Sequence, residues 1–171
     1  MMKIATAALA AGFAMLVASP AAALDDAQIA HIAVTADSVD IAWAQVAMQK
    51  ASDPRVRQFA ADMLRDQTAL NTLATSLFQR LNITPKPNGT SNYLDRTAES
   101  KRKKYASLSG ADFDRTYVKN EVAFHKTVNS ALRAHLIPAA KDPQLKDLLQ
   151  IGLTRYEQDQ AQAEQLAAQL G

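Results

Sequence analysis

The chain has 171 residues and a formal net charge of +2, a length that suits one domain preceded by a short leader. Its hydrophobic share of 48% is ample for a packed core without staples, and the absence of cysteine excludes disulfides, thiolate metal sites, thiol nucleophiles and lipid attachment at a lipobox. The near-neutral balance also argues against a nucleic-acid partner, which would need basic groups to neutralise phosphates.

At the N-terminus, Lys3 precedes an uninterrupted run of apolar and small residues from Ile4 to Val17, and Ser19-Pro20 breaks it. Ala21-Ala22-Ala23 then supplies the small side chains of a signal-peptidase site. Residues 1–23 are expected to be a signal peptide and residues 24–171 the exported domain, in a bacterial-type periplasm. The run is shorter than the roughly 20 residues of a membrane span, and no later stretch is apolar enough to be one.

Only helical periodicity follows. The first long helix is expected over Asp26 to Lys50, with Ile29, Ile32, Ala33, Ala36, Trp43, Val46 and Ala47 inward. Asp53-Pro54 provides an N-cap and a first-turn proline for a second helix reaching about Leu81. Its inner residues are Val56, Phe59, Ala60, Met63, Leu70, Leu73, Ala74 and Leu77. Pro85, Pro87 and Gly89 prevent helix at the start of the next segment, while Tyr93 to Leu108 suits a short, exposed one.

A third long helix is expected from Gly110-Ala111-Asp112 to Ile137-Pro138, with Tyr117, Glu121, Phe124, Val128 and Leu132 inward and His125 on the edge of that stripe. Asp142-Pro143 opens the last helix, whose inner face is Leu145, Leu148, Leu149, Gly152, Tyr156, Ala163, Leu166 and Leu170. A hairpin needs only a few linking residues, so the long segment between the second and third long helices reads as a crossover along the bundle. The expected fold is all-α: a ferritin-like four-helix bundle with one long crossover containing a short helix. The stretches "ASDPRVRQFAADML" and "AKDPQLKDLLQIGL" share a turn and an apolar pattern, which suggests a duplicated hairpin.

Each inner stripe carries a polar interruption near mid-helix. These are Asp40 on the first helix, Gln67 on the second, His125 on the third with Glu121 one turn before it, and Asp159 on the last. If the helices pack as expected, the four meet at one height. Buried carboxylates without partners are costly, so they must satisfy one another or bind something.

The residues "SDPRVRQFAADMLRDQ", "SGADFDRTYVKNEVAFHK" and "KDPQLKDLLQ" resemble an exported, ferritin-like domain-of-unknown-function family of bacterial outer-membrane or periplasmic proteins. The resemblance implies an acidic residue on the first helix and a histidine on each of the other three. Matched position by position, these fall on Asp40, Gln67, His125 and Asp159, so only one histidine is retained. The site is then expected to be degenerate. No Glu-x-x-His pair of di-iron bundles occurs, since Glu121 and His125 are four apart, which disfavours oxygen chemistry.

The preferred expectation is a non-catalytic envelope-interaction or stress-related module, in which His125 bridges Asp40 and Asp159 and Gln67 completes a hydrogen-bonded layer without a cofactor. The alternative is a divalent-metal-binding or redox protein using Asp40, Glu121, His125 and Asp159, with Gln67 at the fourth helix position. No catalytic residues are expected, for there is no glycine-rich phosphate loop and no Gly-x-Ser-x-Gly elbow. The partner is an unknown protein or envelope component.

The basic run Lys101-Arg102-Lys103-Lys104, without interleaved aromatics, reads as a solvated face; weak peripheral membrane contact is its alternative. His31 reads as a surface residue, and His135 as a helix-terminal cation. Trp43 and Tyr117 read as core, the tyrosine hydroxyl finding a partner. Asp114 and Arg115 are expected to tie the crossover down.

Overall fold

The computed structural model describes residues 24–171; the expected signal peptide lies outside them. Helix α1, Asp26–Lys50, begins at a capping box in which Asp25 accepts the Gln28 N–H at 2.7 Å and the Gln28 side chain returns to the Asp25 N–H at 3.1 Å. Such reciprocal bonds satisfy donors that a helix start leaves orphaned. Helix α2, Pro54–Leu81, starts at the expected Asp53 cap and ends at Asn82, whose φ of 54° closes it in the left-handed region.

The crossover departs from expectation in one respect. Helix α3 covers Gly89–Ala106 and starts four residues before Tyr93. Asn88 accepts the N–H groups of Thr90 and Ser91 while Ser91 bonds back to Asn88, a second capping box. Gly89 is thus a tolerated first residue after a strong cap, where a glycine costs little. Nor is α3 merely exposed, since Thr90, Ser91, Leu94 and Tyr105 are buried.

Gly110, with φ of 56°, turns the chain into α4, Gly110–Ala131, a conformation open to glycine without a Cβ penalty. The helix widens into a π turn over Leu132–Leu136 and closes with one further turn, α5, Ile137–Ala139. Pro138 lacks the N–H that a regular ladder would need there. Helix α6, Pro143–Gln169, begins at Asp142, which accepts the N–H groups of Gln144 and Leu145.

The hydrogen bonds between elements give the topology. Lys86 N–H reaches Ala27 O and the Asn88 amide reaches Gln28 O, so α3 begins where α1 begins. Lys50 Nζ donates to the carbonyls of Tyr105 at 2.6 Å and Ala106 at 2.9 Å, so α3 ends where α1 ends. A lysine at a helix C-terminus also complements its dipole. Helices α1 and α2 pack as one antiparallel hairpin, α4 and α6 as the other, and α3 runs along α1 between the two ends. This is the ferritin-like arrangement.

Trp43, Phe59, Tyr105, Phe113, Tyr117 and Phe124 fill one end with mostly edge-on ring contacts. Trp43 also donates its indole N–H to Ala98 O of α3. Aliphatic side chains fill the opposite end, among them Ile29, Ile32, Leu132, Leu136, Leu145 and Leu148. Most of the expected inner residues are buried, but Leu73 is 41% exposed, and Ala33, Val46, Leu70, Gly152 and Leu170 are only half-buried. Among the described residues no helix is long and apolar enough to cross a membrane.

Candidate metal centre

Between the aromatic and aliphatic ends lies a polar tier. Asp40, Gln67, Glu121, His125 and Asp159 are each fully buried, and α1, α2, α4 and α6 contribute to it at mid-length. The structure thus brings together all the residues that the stripe pattern singles out, and it places His125 inside rather than on the edge.

His125 organises the tier. Its Nδ1 lies 2.8 Å from the backbone O of Glu121. Only an N–H can serve that carbonyl, so in a neutral ring the lone pair belongs to Nε2. Nε2 faces Asp40 Oδ2 at 3.4 Å and Asp159 Oδ2 at 4.0 Å. The Glu121 carboxylate lies on the other flank, 3.7 Å from Nδ1. The ring is further wedged between Phe124 and Tyr156, at 6.0 and 5.2 Å between centroids.

The expected self-satisfied hydrogen-bonded layer is not what these distances describe. Gln67 Nε2 donates to Asp159 Oδ2 at 3.1 Å. Beyond that bond, both carboxylate oxygens of Asp40 and of Glu121, Gln67 Oε1, Asp159 Oδ1 and His125 Nε2 are buried without a hydrogen-bond partner.

Burial dominates the electrostatics. It pushes the carboxyl of Asp159 up to about 7, with the nearby charges of Asp40 and Asp66 adding to the rise. It raises Asp40 as well, and holds Glu121 well above the usual carboxylate range, reinforced by the charge of Asp40. Removing these groups from water disfavours their charged forms, and either protons or a cation can relieve that cost.

The donors suit a cation. One oxygen each of Asp40 and Glu121 and a nitrogen of His125 lie within 4.8 Å of one another. The 3.4 Å separation of Nε2 and Asp40 Oδ2 is long for a hydrogen bond. It is the spacing of two ligands that each stand about 2.1 Å from a shared ion in a tetrahedral site. Imidazole and carboxylate donors fit a borderline divalent ion, and the Nδ1 bond to a carbonyl is the outer contact that orients a ligating histidine.

Several surrounding groups escape a reading of single stripes. Asp37 is buried and accepts the Tyr156 hydroxyl at 3.0 Å; the signal available was its place one turn before Asp40 on the same face. The buried hydroxyls of Tyr105 and Tyr117 lie near enough to Glu121 to feel its charge and have no hydrogen-bond partner, so the Tyr117 hydroxyl does not find the partner expected for it. Half-buried Lys101 approaches Glu121 from α3.

The remaining candidates lie elsewhere. His31 is half-buried and sits 3.2 Å from the Thr35 hydroxyl, while His135 falls within the π turn. Arg102 and Lys103 pair with Glu99 on the exposed face of α3. Asp114 and Arg115 do not hold the crossover. Asp114 grips the α1–α2 turn through Ser52 and Asp53, and Arg115 pairs with Asp112 at the surface.

Fold and tier together define a helical bundle with a sealed carboxylate–imidazole centre. The chain belongs to the family described as domain of unknown function DUF4142, whose pattern matches residues 12–166. Two solved structures share the fold. One is a protein described as a secreted DUF305 member from Streptomyces coelicolor, at TM-score 0.71 and 13% identity, covering 84% of this chain and 92% of that one. The other is CopM in a Cu(II)-bound form, at TM-score 0.67 and 17% identity, covering 88% and 100% respectively. No curated protein matches the chain in sequence.

Proposed function

We propose that this protein is an exported, non-catalytic bundle that holds one divalent cation in its mid-bundle tier. The observation that carries the reading is the fixed orientation of His125. Its Nδ1 is committed to the Glu121 carbonyl, which leaves Nε2 directed at Asp40 Oδ2, which has no hydrogen-bond partner, and at Asp159 Oδ2, whose one partner is the Gln67 amide. Asp40, Glu121 and His125 would be the ligands, with Asp159 completing the set and Gln67 orienting Asp159 through its amide. A bound ion would supply the positive charge that three buried carboxyls lack.

A non-catalytic role is supported by the sealing of the tier, which leaves no room for substrate beside the donors. Export to the periplasm is supported by the leader pattern of residues 1–23. The fold shared with a Cu(II)-bound structure adds only an analogy at the level of fold.

Metal analysis of protein purified without chelator, followed by titration with Cu2+, Zn2+ and Co2+, tests the reading. One ion per chain is expected in the native protein, and none in His125→Ala. Equal metal content in the two would overturn it. A second reading, a metal-free envelope module whose tier is held by shared protons, is favoured by the raised carboxyls of Asp40 and Glu121. It predicts a native protein that neither contains nor gains metal.

A further inference from the structure

The tier is sealed, with Asp40, Gln67, Glu121, His125 and Asp159 all fully buried, so an ion can reach it only where a helix seam gives way. The α1–α2 and α4–α6 seams are the closely packed hairpins, and α3 packs against α1 and α4. Helices α2 and α6 touch less extensively than the partners of either hairpin.

That seam is closed at the height of the tier by an ion pair. Arg155 of α6 donates from Nη1 to Asp66 Oδ2 of α2 at 3.2 Å. Chain neighbours set the level: Asp66 precedes Gln67, whose amide bonds Asp159 at 3.1 Å, and Arg155 stands one turn before Asp159. Arg65 holds Asp66 from its own helix, from Nε to Oδ1 at 2.8 Å and from Nη2 to Oδ2 at 3.2 Å, and its Nη1 bonds Asp62 at 2.8 Å. The charges of Asp66, Arg155 and Arg65 all act on Asp159, so the cluster lies next to it.

The two partners across the seam are unequally exposed. The Asp66 side chain is 11% exposed and that of Arg155 41%, so the arginine is the one free to swing into water. Pairs this exposed hold their partners weakly. Closed, the cluster is balanced, two carboxylates against two guanidiniums. With Arg155 swung out, Asp62, Asp66 and Asp159 face Arg65 alone, and the opened seam attracts cations.

Behind the pair stand unsatisfied oxygens. Asp159 turns Oδ2 to the Gln67 amide and toward His125 Nε2. Its Oδ1 and the neighbouring Gln67 Oε1 are buried with no hydrogen-bond partner. Buried polar atoms are normally paired, and carboxylate and carbonyl oxygens are donors that replace the water around a divalent ion.

We infer that the Asp66–Arg155 ion pair is the gate through which a divalent cation enters and leaves the tier, and that Asp66, once released, is the first carboxylate to hold it. The inference rests on the metal-binding reading proposed above. It makes Asp66 and Arg155 entry residues rather than ligands, so their signature is in rates.

Trp43, the only tryptophan of the chain, stands one turn after Asp40 and contacts Phe124, the neighbour of His125, so Cu2+ in the tier should quench its emission. Stopped-flow mixing of chelator-stripped protein with Cu2+ reads uptake, and mixing of loaded protein with excess chelator reads release. In Arg155→Met, which keeps an apolar stem, both rates should rise about fivefold, and Arg155→Gln should behave alike. Loss of a repelling charge alone would speed uptake and slow release, so faster release distinguishes a gate. Arg133→Met removes the same charge from the Arg133–Glu157 pair on the α4–α6 seam and should leave release unchanged. Adding Asp66→Asn to Arg155→Met should cut uptake about threefold or more.

Release that is unchanged or slower in both Arg155 variants would overturn the gate, and equal acceleration in Arg133→Met would overturn the choice of seam. Undiminished uptake in the double variant would overturn the role of Asp66. Equal quenching in His125→Ala would instead overturn the metal reading, and the gate with it.

Discussion

Asp26 and Asp114 are counterparts: each carboxylate, from the N-terminal part of one hairpin's first helix, grips the Asp-Pro turn of the other hairpin. Asp26 accepts the N–H groups of Lys141 and Asp142 at 2.8 and 2.9 Å. Asp114 accepts those of Ser52 and Asp53 at 3.0 and 2.9 Å, together with the Ser52 hydroxyl. The duplicated Ala-x-Asp-Pro pattern thus has a tertiary counterpart, and each turn is held by the half of the molecule to which it does not belong.

Asp114 is buried whereas Asp26 is half-buried, so the two latches differ in strength. Asp114→Ala leaves two N–H groups and a hydroxyl without their acceptor and should cost about 2–3 kcal/mol. Asp26→Ala, whose freed donors can reach water, should cost about 1 kcal/mol. Urea unfolding followed by circular dichroism measures both, and equal losses would contradict the difference in burial.

Stability of the metal-free protein should fall as pH rises. Burial raises Asp37 and Asp159 from the ordinary carboxylate value to about 7, and raises Asp40 and Glu121 too. The folded chain keeps protons that the unfolded chain has released, so the slope of unfolding free energy against pH is negative. The stabilisation is complete below about pH 4 and is lost as pH approaches about 7, at up to about 1.4 kcal/mol per pH unit for each group. Divalent cations act oppositely, because their carboxylate ligands must be deprotonated. The melting temperature should therefore be higher at about pH 5 than near neutrality without metal, and the gap should narrow or reverse with it.

Asp40→Asn should separate stability from binding. The substitution removes a buried charge whose two oxygens lack hydrogen-bond partners, and relieves the repulsion it exerts on Glu121 and Asp159. The metal-free variant should gain about 1–2 kcal/mol while its affinity for divalent ions drops by about tenfold or more. Thermal melts with chelator and with Zn2+ read the two effects, and a destabilised metal-free variant would contradict this account of the tier.

Lys50→Met should loosen the crossover without unfolding the bundle. The lysine caps the last carbonyls of α3 and lies 5.7 Å from the Phe113 ring centroid, while its apolar stem would be largely preserved by methionine. Amide exchange should accelerate in the last turn of α3 and across Ser107–Ser109, with a global loss of about 1 kcal/mol. Uniform acceleration over all helices would show that the contact supports the whole fold instead.

Much of the architecture was legible one helix at a time. The Asp53-Pro54 and Asp142-Pro143 starts are local signals, because a cap and a first-turn proline act within four residues. The inner stripes repeat with the helix itself, so Asp40, Gln67, His125 and Asp159 stood out as interruptions. Their common height followed from the similar lengths of the four long helices. The start of α3 was missed because the Asn88–Ser91 capping box outweighs Gly89, and Leu73 was misplaced because steps of three and four residues admit both it and Ala74, of which only Ala74 is buried.

Residue order alone was enough to establish the four long helices, the caps at Asp53 and Asp142 and the presence of a polar position on each long helix, for these depend on neighbours three or four residues apart. Only tertiary packing decided that His125 turns Nε2 toward two aspartates, that Asp37 meets Tyr156, and that Asp26 and Asp114 each grip the turn of the other hairpin. Those outcomes depend on distances between backbones far apart in the chain, where a difference of one ångström between helices makes or breaks a hydrogen bond.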